Sequence, residues 1–566
     1  MNQLGGFPLL TLIVAIPLLG AVVILLLRPA RGDALRWLAL LIASAEFFIS
    51  LFLYMGWVSD SSGSVQFQDG PWSWIPSLGI RHHLAIDGVN VHLVGLTTLL
   101  VPLVLLAARR QPALAGRATA FWVLVLEAVT LGALTTRDLA CFALFWLTAL
   151  VSAFLLAGMD RYPSRAAAHY VTAMAIVAVL MLACLFFLSN LGTGLDITDS
   201  STNPLPWRAQ AWLFWAMTLA MGIGSALFPF HRWYIAALRH ASPPARILIS
   251  VVLMNIGCSG LIRFCLPAFP LAVTRFAPVI VFLGTLGLAY GAVRALQQTT
   301  LPAMLAYWNV AQVNLALMGI FSLQNLGLHG ATLLIFGRAL CTATLLLVSP
   351  TEDEPQTSPV QGADLDMTGG RTVPTAGFLS ALAIIGSLGF VVQSTLVLGL
   401  MRWHWQPGNP GAPAAVCDWL WYSLVALGIL ISAWALLRSC GHIGSGLGQS
   451  RPRRHVLLAI PLLLASLLVG VRPSAFSDMI GPTVYRLLIE VMSASEAGQE
   501  ENTPPAYTPD QAPTPPSDQS DTTLRLPAPG HAQTAWVGCM VRGQGNAVTT
   551  LVRAWTAPPI LEASLT

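Results

Sequence analysis

The 566-residue sequence is 55% hydrophobic, only 10% charged, and carries a formal charge of +4. A soluble domain carries about 25% charged residues, so the composition excludes an ordinary globular protein and places most of the chain in a lipid bilayer. All 29 of its basic residues are arginine, and arginine keeps its proton in practically any protein setting.

A bilayer-spanning helix needs roughly 20 mostly apolar residues. In chain order the segments that meet this are 7–27, 35–57, 87–108, 118–135, 138–158, 169–190 and 210–230, then 246–266, 274–294, 301–322, 328–348, 376–400, 416–437 and 455–471. The sequence therefore predicts an all-α membrane protein of about fourteen transmembrane helices. The first segment lacks a basic leader and is followed by further spans, which argues against a cleaved signal peptide. Arginines concentrate in alternate loops: Arg28, Arg31 and Arg36; Arg109, Arg110 and Arg117; Arg161 and Arg165; Arg438, Arg451, Arg453 and Arg454. Cytoplasmic loops carry the basic excess, so both termini are expected outside. The net charge is spread over these loops and gives no nucleic-acid surface.

Beyond the last span, residues 480–494 form an amphipathic stretch suited to the membrane interface. Residues 495–566 are rich in Pro, Ser and Thr over most of their length, a composition expected to be disordered. The domain plan is thus 1–110 for helices 1–3, 111–440 for a ten-helix core, 441–494 for the last span and interfacial helix, and 495–566 for the tail. Eight cysteines show no paired or histidine-adjacent spacing, and no metal site is expected.

Two spans read as discontinuous. The seventh contains Gly222, Gly224 and Pro229, and the twelfth contains Gly386 and Gly389. They lie five helices apart, at corresponding places of two groups of five. Interrupted helices at matching positions point to two inverted five-helix repeats, with a transport path at the break.

Several local sequences, in order, resemble the M-type antiporter-like membrane subunits of respiratory complex I. HLAIDGVNVHLVGLTTLLVPL (83–103) is similar to that family's third helix, and RDLACFALFW (137–146) to the start of its fifth. PFHRW (229–233) matches the motif after its broken seventh helix, and GLIRF (260–264) the end of its eighth. MLAYWNVAQ (304–312) resembles its tenth helix, DLDMTGG (364–370) the loop before the twelfth, and Gly389-Phe390 the twelfth itself. The matches run from about residue 1 to 470, and the chain lacks room for the long lateral helix of the L-type subunit.

The departures concern the residues that the resemblance implies should move protons. A fifth-helix glutamate is replaced by Leu147, a seventh-helix lysine by Gly224 and an eighth-helix lysine by Asn255. A tenth-helix histidine is replaced by Gln312, an eleventh-helix histidine falls on or near Arg338, and a twelfth-helix glutamate becomes Gln393. Leu, Gly, Asn and Gln have no accessible ionisation, so the usual relay cannot operate through them. Three residues remain as proton-path candidates: Glu127 in the fourth span, His231 at the helix break, and Arg338 as a fixed positive charge. Glu46, in the second span, lies outside the repeats and is a weaker candidate. Asp87 and Asp138 sit at helix beginnings, where capping accounts for them, and Arg263 reads as a helix-end anchor.

The resemblance implies a multi-pass membrane-arm subunit of an NADH:quinone oxidoreductase of the complex I type, in a bacterial inner or cell membrane. Its family role would be proton translocation coupled to electron transfer elsewhere, here with a degenerate or inactive relay. The alternatives are a non-pumping structural subunit, or a membrane partner in a cation/proton antiporter or inorganic-carbon uptake complex. The expected partners are the lipid bilayer and other membrane subunits, not nucleic acid. No catalytic centre of its own and no bound cofactor are expected.

Overall fold

The computed structural model describes residues 8–27, 32–57, 65–108, 116–158, 164–192, 194–196, 205–348, 393, 396–401, 415–445 and 453–502. Residues to Pro504 form one compact unit, so the expected boundaries at 110 and 440 fall inside it. The helices run in order as α1 (Leu9–Leu26), α2 (Gly32–Met55), α3 (Val91–Ala107), α4 (Arg117–Thr135), α5 (Leu139–Ala157) and α6 (Ser164–Asn190). Then follow α7 (Trp207–Gly224), the short α8 (Arg232–His240), α9 (Pro243–Ala268), α10 (Pro270–Leu296), α11 (Leu301–Phe321) and α12 (Asn325–Val348). The last three are α13 (Ala415–Ser445), α14 (Arg453–Val471) and α15 (Pro473–Asn502).

Thirteen of the fourteen expected spans coincide with these helices; the twelfth, with Gly386 and Gly389, lies almost wholly outside the described residues. Among the described residues, ten helices are long and apolar enough to cross a membrane by themselves, and an eleventh span is possible if α14 and α15 count together. The shortfall has physical reasons. Helix α3 has only 17 residues, and α7, which ends at Gly224 at the break its glycines announced, has 18 residues but carries Arg208 and Gln210 in its first turn. Prolines 17, 102, 278 and 461 sit inside helices, which membrane helices tolerate where neighbours supply substitute partners.

Burial sorts the helices. The apolar windows of α9, α11 and α12 are 100% buried, whereas those of α2, α6 and α13 are only 28%, 22% and 28% buried. Helices α9, α11 and α12 therefore form the centre of the bundle. On α2, Leu41, Phe48, Phe52 and Met55 are exposed, which gives the helix an apolar outer face.

The expected third span began at residue 87, but Asp87 ends a β-hairpin that the sequence reading missed. Strand β1 (Val65–Ile75) pairs antiparallel with β2 (Ile80–Asp87), and Gly79 closes the turn at φ 68°, a left-handed conformation that favours glycine. The hairpin is tied down from three sides. The Thr11 amide donates to Asp69 at 2.8 Å, the Arg137 amide donates to the His83 carbonyl at 2.8 Å, and His83 pairs with Asp196. Burial pushes His82 below the ordinary histidine range, with Asp69 opposing.

The tail also begins later than its composition suggests. Helix α15 continues to Asn502, through residues expected to be disordered from 495 and well before the interfacial stretch at 480. It bends 76° from α14 and turns Ile480, Val484, Leu488 and Val491 inward. That spacing is one face of a helix, so α15 packs on the bundle along its apolar side.

Candidate proton track

The fully buried Arg338 of α12 organises the centre of the bundle. Its Nη1 donates to the Ser250 carbonyl and to Asn309 Oδ1, each at 3.1 Å. Its Nη2 donates to Asn255 Oδ1, while Nε has no partner. Asn309 in turn accepts from Thr342 Oγ1 at 2.9 Å and donates to the Tyr234 hydroxyl at 2.9 Å. The guanidinium is held by amide, carbonyl and thioether groups; no carboxylate pairs with it among the described residues.

Residues 249–253 of α9 wind as a π-helical turn. Such turns depart from the regular backbone pattern and recur at functional sites. Ser250 lies in this turn, and its carbonyl is the one Arg338 bonds. A second π-helical turn, Leu261–Cys265, holds Arg263. Arg263 donates from Nε to Asp87 Oδ2 at 3.2 Å and also reaches the carbonyls of Leu134 and Thr135. Asp87 and Arg263, read separately from the sequence, are thus one buried ion pair joining the hairpin to the eighth span. Asp87 Oδ1 additionally accepts from the Val89 and Asn90 amides, each at 3.0 Å. Asp138 caps α5, accepting from the amides of Ala140 and Cys141, as its position suggested.

The residues at the positions where the resemblance implies a relay fall in four places. Asn255 and Arg338 touch directly. The resemblance implies a lysine at the first and a histidine near the second; the cation found here is that of Arg338, on α12. Gly224 ends α7 against the indole of Trp146, and a Cβ at 224 would collide with that ring. The pocket a side chain at 224 would need is filled by the neighbour of Leu147, which is itself half-buried against the core. Gln312 is buried on α11 and donates to Ser432 of α13 at 3.1 Å. Gln393 is helical and half-buried; its neighbours in sequence lie outside the described residues.

His231 lies in the break between α7 and α8. Its ring packs on Phe228, Tyr290 and Tyr307, and Nε2 lies 3.4 Å from the Tyr290 hydroxyl. Three residues on, Tyr234 reaches Asn309 and through it Arg338, whereas the His231 ring turns to Tyr290. Sequence reasoning missed Tyr234 and Asn309. Their signal was a tyrosine and an asparagine inside apolar spans, which is weak without knowing what they face.

Glu127 stands apart from this track. It is buried on α4, which packs on α2, the helix that carries the buried Glu46. Glu46 and Glu127 were expected in separate parts of the chain; the packing of α2 on α4 brings them together. None of their four carboxyl oxygens has a hydrogen-bond partner in the protein.

Comparison with known proteins follows the same lines. Residues 136–406 match the family model described as NADH:quinone oxidoreductase/Mrp antiporter, transmembrane. A Picosynechococcus NAD(P)H-quinone oxidoreductase chain 4 is 31% identical over 411 residues, covering 70% of this chain and 73% of the relative. A chain 4 from Synechococcus elongatus is 27% identical over 507 residues, covering 86% of this chain and 92% of the relative. A chain of Thermus thermophilus respiratory complex I superposes with a TM-score of 0.69 at 23% identity, over 85% of this chain and 99% of that one. A chain of the Dietzia Mrp complex superposes at 0.67 with 17% identity, over 86% and 99%. The two superpositions show a shared fold.

Proposed function

This chain belongs with the chain 4 subunits of NAD(P)H-quinone oxidoreductases, within the NADH:quinone oxidoreductase/Mrp antiporter family, and from that premise we propose that it is a membrane-arm subunit whose central track holds a permanent charge in place of a mobile proton. A relay needs groups that take up and release protons when a neighbour changes charge. Arginine does neither at working pH, and its partners Asn255 and Asn309 are amides.

One observation carries the reading: the Arg338 guanidinium bridges Asn255, Asn309 and the Ser250 carbonyl of the π-helical turn. A positive charge fixed there repels any cation or proton entering along the Tyr234–Asn309 line. The charge is retained because it satisfies four buried acceptor groups, including Met254 Sδ at 3.8 Å. Leu147, Gly224, Gln312 and Gln393 leave nothing on the family's line that ionises.

The proposed partners are the other membrane subunits of a quinone-reducing complex, and no cofactor is assigned to this chain. The test is to solubilise native membranes carrying the tagged chain and resolve the complexes. Co-migration with NAD(P)H- or ferredoxin-dependent quinone reduction is expected. Co-migration with subunits of a cation/proton antiporter, without quinone reductase activity, would favour the antiporter machine and overturn the assignment.

A further inference from the structure

A line of polar side chains outside the central track begins at the Glu46 and Glu127 carboxyls. Both residues are almost completely buried, at 0% and 1% exposure, and their carboxyl oxygens meet no protein hydrogen-bond donor. A bare charge in the bilayer interior is costly, and intramembrane carboxyls mark proton relays when they face the bundle interior. Of two buried carboxyls on packed helices, one charged group favours the acid form of the other, since two charges would repel.

The second observation is what lies on the same face of α2. Glu46, Ser50 and Tyr54 are spaced i, i+4, i+8, which stacks them in one row along a helix. Each of the two beyond Glu46 meets a polar partner on α3. Ser50 Oγ bonds Thr98 Oγ1, and the Tyr54 hydroxyl lies 3.4 Å from His92 Nδ1. The row advances about 12 Å, at 1.5 Å per residue, toward the end of the bundle that carries the hairpin. His92 itself packs between Phe336 and Phe476. A cleft of about 390 Å³, lined by His83, Asp87, Arg137, Arg263 and Glu490, lies at that same end. Meanwhile Leu41, Phe48 and Phe52 of α2 face outward, so the polar row is confined to the interior side.

We propose that Glu46 and Glu127 form a proton-holding pair, and that Ser50–Thr98 and Tyr54–His92 carry its proton along α2 to the hairpin end. The proposal rests on the chain being a subunit of a proton-translocating quinone reductase. In the step itself, the O–H bond of the protonated carboxyl breaks and its proton leaves by way of water toward the Ser50 hydroxyl, one turn along α2. Onward, each hydroxyl gives up its own proton as it accepts another, and His92 takes the last on a ring nitrogen before releasing it. Nothing is oxidised or reduced, and a proton taken up from water returns the pair to one proton per cycle.

The experiment uses the whole complex in proteoliposomes, reading protons moved per electron, with the complex lacking this chain measured alongside. In the Glu46→Gln/Glu127→Gln variant the ratio is expected to fall to that of the chain-deleted complex, with quinone reduction in detergent unchanged. Tyr54→Phe, which keeps the packing and removes only the hydroxyl, is expected to lower the ratio as well. Dicyclohexylcarbodiimide, which couples to protonated carboxyls in apolar surroundings, is expected to label Glu46 or Glu127 of the native complex. If deletion of the chain lowers the ratio while the Gln and Phe variants keep it, the pair is not the path. Absence of an adduct at both glutamates overturns the proposal even where the double variant fails to assemble. If deletion of the chain leaves the ratio unaltered, the subunit moves no protons at all and the proposal falls with the reading on which it rests.

Discussion

Arg338 is the residue on which the centre of this protein turns. Its hydrogen bonds unite α9, α11 and α12, the three fully buried helices. Leaving a buried acceptor without its donor costs about 1–3 kcal/mol. Arg338→Leu strands Asn255 Oδ1 and the Ser250 carbonyl while removing a buried charge, so it is expected to destabilise the protein by roughly 2–4 kcal/mol on the same scale. Thermal unfolding in detergent measures this, and an unchanged midpoint would show that the bonds do not hold the helices. Gly224 answers a different question, whether its pocket is free. The Trp146 indole fills it, and overpacking a core typically costs about 1–3 kcal/mol. Gly224→Ala should therefore lower the unfolding midpoint, and Gly224→Ala with Trp146→Leu should recover part of the loss. At this scale the sequence singled out Asn255, Gln312 and Arg338 as polar residues inside apolar spans, and the structure buries all three. The sequence was not readable where the meaning lies in a partner. Nothing in the spans around Asn255 and Arg338 says that one bonds the other from 83 positions away, and Glu46 and Glu127 are joined only by helix packing.

Elements show the same division. Thirteen helices could be read from apolar runs of span length, and the break in the seventh from its glycines and Pro229, because length and local conformation dictate them. The π-helical turns of α9 could not. Both sit where a buried arginine meets the eighth span, Arg338 at Ser250 and Arg263 within Leu261–Cys265, and that contact is tertiary. The hairpin was missed because β1 contains Gly70 and Pro71, residues that usually mark a loop. Its pairing is supported instead by anchors from α1, residue 137 and Asp196. Those anchors give a pH expectation. His82 takes up a proton less readily when folded, since burial lowers its affinity. As pH falls through and below about 6.5, the ordinary histidine value, the unfolded hairpin binds that proton more tightly and the folded form loses stability. Hydrogen exchange of residues 65–87 is expected to accelerate at about pH 5 relative to pH 7, with His82→Gln weakening the dependence. Asp138 offers a control at a helix end: Asp138→Ala removes the cap of α5 and is expected to cost about 0.5–2 kcal/mol, seen as a lowered unfolding midpoint.

Across the whole molecule, on the function proposed, the antiporter-type scaffold holds a fixed charge at Arg338 in its centre, and protons exchange instead between α2, α3 and α4, along the Glu46 row. The measurement that tests this most directly is the number of protons moved per electron in proteoliposomes, compared between two variants of the assembled complex. Gln312→Leu alters the central line without touching Arg338, and Glu46→Gln/Glu127→Gln alters the lateral pair. The account predicts that the first variant matches the native ratio and the second drops to that of the complex lacking this chain. A drop in the Gln312→Leu variant, with the native ratio kept in the double variant, would contradict it.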